Sequence, residues 1–226
     1  LRFGFGRRPN SGIAAEATGR VISPKKWQTI DHANISFGQA ILVSPLQMVS
    51  AANVFANEGQ WVPPFIVENV IDKNGGKLRE IRDKKGEVSH KFGIGTRSTV
   101  VESSVAELVR KYLISVTQKG GTAQQAAIKG YQVAGKTGTS QIYDQQIGRY
   151  SKTRYIASFV GFAPAFDPLI TVLVVVEQPR TSYYGGKIAA PIFKDIVQRT
   201  LLFKDVLPFP GKNYENSTAQ VETVTH

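Results

Sequence analysis

The sequence contains no cysteine, which excludes disulfides, thiolate zinc sites and a cysteine nucleophile. Its three histidines, His32, His90 and His226, are too widely spaced for a local ligand motif, so no metal and no cofactor is expected. No apolar run approaches the ~18 residues of a membrane helix, and no secretory leader pattern opens the chain. The only methionine is Met48 and the first residue is Leu1, which reads as a piece of a longer polypeptide. Acidic residues are in deficit, 17 against 28 Lys and Arg, for a net charge of +11. Such an excess suits a polyanionic neighbour. Yet Arg7-Arg8, Lys25-Lys26 and Lys84-Lys85 are pairs, not runs, and no nucleic-acid module surrounds them. They read as solvated surface, with no nucleic-acid partner.

What is present is globular. The 226 residues are 42% hydrophobic, enough for a buried core. Residues 1–35 read as irregular. Ser44-Pro45-Leu46-Gln47 reads as a helix start: Ser44 caps, Pro45 suits the first helical position, and Gln47 completes a capping box. That helix should run to about Asn57 and stop at Gly59. Trp61 to Asp72 reads as strand, Asn74-Gly75-Gly76 as a turn, and Lys77 to Arg82 as its return.

A second helix is expected from Ser103 to Gln118. Val105, Leu108, Val109, Tyr112 and Val116 form its apolar stripe, and Ser104 with Glu107 forms a second capping box. Thr122 to Ile128 reads as a short helix and Tyr131 to Gln141 as extended. Tyr143 to Thr153 reads as a loop. Arg154 to Phe162 and Leu169 to Glu177 read as antiparallel strands, the second covered on both faces. Tyr183 to Gly186 reads as a turn. A last helix is expected from Ala189 to Phe203, with Pro191 in its first turn. Helices, then an antiparallel sheet, then a packing helix make an α+β chain. Residues 208–226 read as a polar, disordered tail.

Lys136-Thr137-Gly138-Thr139-Ser140 is the stretch with chemistry in it. A glycine on a strand lets a ligand approach the backbone. The hydroxyls of Thr137 and Thr139 suit a carboxylate, and Lys136 adds positive charge with three donors. A strand N–H there suits a developing oxyanion. A rival pattern overlaps it. Gly130 followed after four residues by Gly135-Lys136-Thr137 formally fits a phosphate-binding loop. Such a loop should follow a buried strand and open a helix. Here the preceding residues read as helical and the following ones lack helix propensity, so the nucleotide reading is the weaker one.

Taken in order, several segments resemble the C-terminal half of the transpeptidase domain of class B penicillin-binding proteins. Phe3-Gly4-Phe5-Gly6 through Glu16 and Gly19 is similar to the glycine-rich segment after that family's second motif. Phe37-Gly38-Gln39, Ser44-Pro45-Leu46-Gln47 and Asn57-Glu58-Gly59 are similar to its G-Q…TPLQ…ANGG region. Gly120-Gly121-Thr122-Ala123 and then Ala134 to Thr139 resemble its third motif with the lead-in. Ser158 to Pro164 and Gly185-Gly186 to Phe193 complete the pattern. Ala157 to Phe162 and Tyr183-Tyr184-Gly185-Gly186 look like the septal, division-type branch.

The resemblance implies a partial penicillin-binding, serine β-lactamase-like fold over residues 1–207, lacking its N-terminal half. It implies a peptidoglycan D,D-transpeptidase that binds stem peptides and β-lactams and sits on the outer side of the cytoplasmic membrane, with cell-division proteins as further partners. Lys136, Thr137, Gly138 and Thr139 would belong to its catalytic site, with Thr137, Thr139 and Ser140 binding substrate. The Thr139 N–H would form half the oxyanion hole. The family also needs Ser-x-x-Lys and Ser-x-Asn. Ser-x-Asn does not occur in these residues, and Ser-x-x-Lys occurs once, at Ser23-Pro24-Lys25-Lys26. Ser23 is rejected as nucleophile because its surroundings are polar and Lys26 would need burial to act as a base. Alone, the chain is expected to be inactive: part of an enzyme, or a non-catalytic binding remnant. Leu169–Glu177 is expected to pair with an upstream strand and to leave apolar surface bare without it.

Overall fold

The computed structural model describes residues 2–208 apart from positions 14, 37, 79, 83 and 92–94, with only the backbone of 89–91. Phe37 and the tail from position 209 onward lie outside the described residues. The chain forms α1 (Thr29–Ser36), α2 (Pro45–Ala56), β1 (Gln60–Trp61), β2 (Val70–Ile71), β3 (Lys77–Leu78), β4 (Glu80–Arg82), β5 (Val88–Lys91) and β6 (Ser98–Thr99). There follow α3 (Ser103–Ser115), β7 (Ala134–Asp144), β8 (Arg149–Ala163), β9 (Ile170–Glu177) and α4 (Gly185–Phe203). One antiparallel sheet, in the order β7-β8-β9, organises the fold. The other strands form two-stranded pairs, β1 with β6, β2 with β3 and β4 with β5.

Side chains three apart on a strand point to opposite faces. Phe159 and Phe162 of β8 do so, and each anchors its own cluster. Phe159, Val174, Ala189, Phe193, Val197 and Leu201 bury α4 on one face, and the Phe159 and Phe193 rings meet edge-on at 4.8 Å. Phe162 packs with Ala56, Ile114 and Ala134, which seats α2 and α3 on the other face. The Thr171 hydroxyl of β9 donates to Asn53 Oδ1 of α2 at 2.9 Å. The result is a helix–sheet–helix sandwich, the α+β arrangement expected.

The capping box of α2 forms as read: Gln47 N–H donates to Ser44 Oγ at 3.2 Å, and Ser44 N–H donates to Gln47 Oε1 at 2.9 Å. Fully buried Gln47 also donates through Nε2 to the carbonyls of Arg7 and Thr18, at 2.8 and 2.9 Å. One residue thus caps a helix and ties down the glycine-rich segment 2–19. Glu16 closes the loop before it, accepting from Asn10 N–H, Ser11 N–H and the Ser11 hydroxyl at 2.6, 2.8 and 2.5 Å. Burial raises the Glu16 pKa, but those bonds and nearby Arg8 outweigh it and hold the carboxyl below its usual range.

Several local readings are corrected. Helix α1 breaks the segment read as irregular; it buries no side chain, so it carries no apolar period to detect. Only the ends of Trp61–Asp72 are strand, because Pro63-Pro64 cannot donate to a ladder. The Asn74-Gly75-Gly76 hairpin forms, and a second one, β4 with β5, follows it. Helix α3 is capped at Glu102 without a side-chain bond, so the Ser104–Glu107 box is absent. Glu107 pairs with Lys111 instead, at 3.0 Å.

The apolar stripe of α3 is only partly inward: Val109 and Val116 are half-buried, and Val116 packs on the core. Val105, Leu108 and Tyr112 are exposed, whereas Ala106, Arg110 and Ile114 are buried. Arg110 can be inward because its guanidinium donates to the Phe55 carbonyl, through Nη2 at 3.1 Å. Thr122 to Ile128 is helical only as a 3₁₀ turn over Gln124–Ala126. Tyr143 to Thr153 is no loop: β7 and β8 run on as a two-stranded ribbon past the end of β9. Its only buried residue is the polar Ser151, so no apolar alternation marks it. Strand β9 is covered on both faces only over its first half: Val174 is buried against α4 and Thr171 meets α2, but Val175 is exposed. Gly185-Gly186 begins α4 rather than a turn, which puts Pro191 inside the helix, not in its first turn.

Candidate functional site

Strand β7 lies at the edge of the sheet, so one row of its backbone groups has no strand partner among the described residues. Lys136, Thr137, Gly138, Thr139 and Ser140 all lie on it, opposite Val160, Phe159, Ser158, Ala157 and Ile156 of β8. Strand alternation separates them. Lys136, Gly138 and Ser140 share the face of Ala134, toward α2 and α3. Thr137 and Thr139 turn toward the start of α4.

Each hydroxyl on that second face is held from outside the strand. Thr137 Oγ1 lies 3.3 Å from Thr122 Oγ1, and the Thr139 hydroxyl donates to the Tyr183 carbonyl at 3.2 Å. Lys136 is exposed and its ammonium donates to the Thr137 carbonyl at 2.8 Å. Helix α4 starts directly against the strand. A Cβ at Gly185 would lie 2.1 Å from the Ser158 carbonyl oxygen and 2.7 Å from that of Gly138. At Gly186 it would lie 2.0 Å from the Thr122 oxygen and 3.4 Å from Thr137 Cγ2. Only hydrogen fits at either position, and that is what allows the positive end of the α4 dipole to approach the Thr137–Thr139 edge.

An aromatic wall flanks this edge, and the sequence reading did not assign it. Tyr155 of β8 stacks on Tyr183 at 4.5 Å, Tyr183 meets Tyr184 at 4.4 Å, and Lys187 Nζ lies 5.8 Å over the Tyr184 ring. The two phenols, Tyr183 and Tyr184, are 3.2 Å apart. That hydrogen bond to Tyr184, with the repulsion of a second phenolate beside it, raises the pKa of Tyr183. Tyr155 and Tyr183 are far apart in sequence, and only the sheet brings them together. Thr122 was visible within Gly120-Gly121-Thr122-Ala123, but nothing in that stretch gave it a partner.

The two rejected patterns stay apart from this chemistry. Ser23 caps the 3₁₀ turn Pro24–Lys26, and both Ser23 and Lys26 are exposed. Gly130 lies in a turn closed by the Ile128–Tyr131 bridge, and Gly135-Lys136-Thr137 is extended strand with no helix opening after it. The strand–loop–helix geometry that cradles phosphates is therefore missing at Gly130–Thr137.

Comparison with known proteins places the chain in a family. The penicillin binding protein transpeptidase domain matches residues 1–198. The chain is 32% identical over 206 residues to the probable peptidoglycan D,D-transpeptidase PenA of Neisseria flavescens, covering 91% of this chain and 46% of that protein. It is 33% identical over 225 residues to stage V sporulation protein D of Bacillus subtilis, covering 97% of this chain and 33% of that protein. The crystal structure of penicillin binding protein 3 from Mycobacterium tuberculosis complexed with ampicillin superimposes with a TM-score of 0.83 at 29% identity, over 94% of this chain and 46% of that one. The chain thus spans about half, or less, of the length of these relatives. With the family match running through the Lys136–Thr139 edge and into α4, this chain belongs to the penicillin binding protein transpeptidase domain family.

Proposed function

We propose that the whole protein of which this chain forms part is a serine-type peptidoglycan D,D-transpeptidase that is acylated by β-lactams. The observation that supports this most directly is the open β7 edge. Two threonine hydroxyls stand there beside the start of α4, a place suited to an anion, and exposed Lys136, on the other face of the strand, adds positive charge. In this reading Thr137 and Thr139 hold the terminal carboxylate of a stem peptide, or that of a β-lactam. Ser140 extends the binding strand, and Gly138 keeps it open to the substrate. Lys136 biases the field toward anions, and the Thr139 N–H supplies one oxyanion donor. A serine of the upstream half attacks the penultimate D-Ala carbonyl, and the terminal D-Ala leaves. An amine of a neighbouring stem peptide then resolves the acyl-enzyme.

The upstream half of the domain is the first partner of this chain. The edge of β9, without a strand partner among the described residues and with Val175 exposed, and the bare Val105, Leu108 and Tyr112 of α3 are the surfaces it would cover. The domain in this reading closes near position 207, where Tyr131 Oη donates to the Val206 carbonyl at 2.6 Å. No helix among the described residues is long and apolar enough to cross a membrane. Attachment to the cytoplasmic membrane, with this domain on its outer side, is assigned to the rest of the protein. A role at the septum, with division proteins as partners, follows the resemblance of Ala157–Phe162 and Tyr183–Gly186 to the division-type branch.

The second reading, a binding remnant without turnover, is favoured by one fact: these residues contain no Ser-x-Asn, and their one Ser-x-x-Lys lies in an exposed turn. Native mass spectrometry of the purified protein, with and without a β-lactam, separates the two. The transpeptidase reading expects the drug's mass on a polypeptide that contains or accompanies this chain. An unmodified chain, alone, supports the remnant. An adduct on Ser23 would overturn its dismissal.

A further inference from the structure

We infer that Thr122 is a positioning residue for the anion edge: its hydroxyl donates to Thr137, so that the Thr137 proton is committed to the substrate's carboxylate. The inference rests on the transpeptidase reading and deepens it.

Thr122 sits 15 residues before its partner, on the turn that leads out of α3, and its backbone is framed on both sides. Gly121 N–H donates to the Gln118 carbonyl and Ala123 N–H to the Val116 carbonyl, both at 2.9 Å. The side chain of Ala123 is buried, and the Thr122 carbonyl abuts Gly186 of α4. An exposed threonine on so fixed a backbone presents its hydroxyl in a defined place, unlike one on a free loop.

Thr137 is held in complementary fashion. Its methyl faces Gly186 and its hydroxyl faces Thr122. A β-branched side chain with one substituent on each of two fixed neighbours is confined to one staggered rotamer. A hydroxyl has one proton and two lone pairs. Between Thr122 and Thr137 either oxygen can donate at 3.3 Å. A carboxylate accepts only. Once one binds at Thr137, the arrangement that satisfies all three groups runs Thr122 to Thr137 to carboxylate. Each bond in such a chain polarises the next. Thr139 differs: its own proton goes to the Tyr183 carbonyl and must leave it before that hydroxyl can donate to a carboxylate.

The test uses the complete transpeptidase. Acylation is followed with a β-lactam carrying its free carboxylate and with the methyl ester of the same compound. Thr122→Val removes the hydroxyl and keeps the shape; Thr122→Ser keeps the hydroxyl. Thr122→Val should lower the second-order acylation constant about five- to tenfold for the acid, the scale of one hydrogen bond between neutral groups. It should leave the ester unchanged, and Thr122→Ser should restore the wild-type rate with the acid. In a Thr137→Val background, Thr122→Val should add nothing. Equal losses on acid and ester, or no loss on either, would overturn the inference while leaving the transpeptidase reading standing. A wild-type protein that is never acylated would overturn both.

Discussion

Gly185→Ala is the sharpest test of how the site is built. The added methyl would lie 2.1 Å from the Ser158 carbonyl oxygen and 2.7 Å from the Gly138 carbonyl oxygen. The first is more than 1 Å inside the ~3.5 Å optimum for non-bonded atoms. Both obstacles are backbone, so no side chain can swing away. The first turn of α4 must lift from the sheet by about 1 Å, or β7 must move at Gly138, between the two threonines. Overpacking of this kind costs about 1–3 kcal/mol. A misplacement of about 1 Å in groups that position a substrate costs about 100-fold in rate. In the complete transpeptidase we expect acylation to fall by about that factor, together with a loss of stability of about 1–3 kcal/mol. Gly148→Ala at the tip of the β7–β8 ribbon is the control. Its φ is +65° and its Cβ would meet only Tyr143 Oη, at 3.9 Å. It should cost about 1 kcal/mol of stability and leave acylation unchanged. A Gly185→Ala protein acylated at the wild-type rate would refute the claim that the approach of α4 sets the threonine edge.

Two further outcomes follow from the packing and the charges. Phe193→Ala removes a fully buried ring that meets Phe159 edge-on, and it should cost about 3–5 kcal/mol in chemical denaturation of the complete protein; a loss no larger than that of a surface substitution would mean that α4 is not the core of that face. The Glu16 carboxyl titrates below its ordinary range in the folded protein. Its contribution is therefore fully present above its unfolded-state pKa and lost as pH falls through the lowered, folded one. Proteolysis of the 10–16 loop should accelerate across that acidic window in the wild type, whereas Glu16→Gln should be cleaved readily at neutral pH and show no such transition.

Features that depend on near neighbours are legible in the sequence. The Ser44–Gln47 box needs only the spacing of two side chains on one helical turn, and it is where it was read. The same holds for the Asn74-Gly75-Gly76 turn and for the antiparallel order of β8 and β9. Lys136 to Thr139 was read as extended, and it lies on strand β7 as read. Ordered segments spread over the chain made the family recognisable.

Tertiary structure decided the rest. Period alone could not show which side of α3 faces the core, because Arg110 is admitted inward by a carbonyl on another helix. The ribbon from Gln141 to Tyr155 was hidden because a two-stranded projection that buries no apolar side chain has no apolar rhythm. The partners of the site were hidden for a third reason. Thr122, Tyr183 and Gly186 reach the strand only after the α3 turn and α4 close on one edge of the sheet. A contact between a hydroxyl at 122 and one at 137, or between a glycine at 185 and a carbonyl at 158, leaves no trace in local spacing. It exists because the layers pack within van der Waals distance, and that is a property of the folded chain.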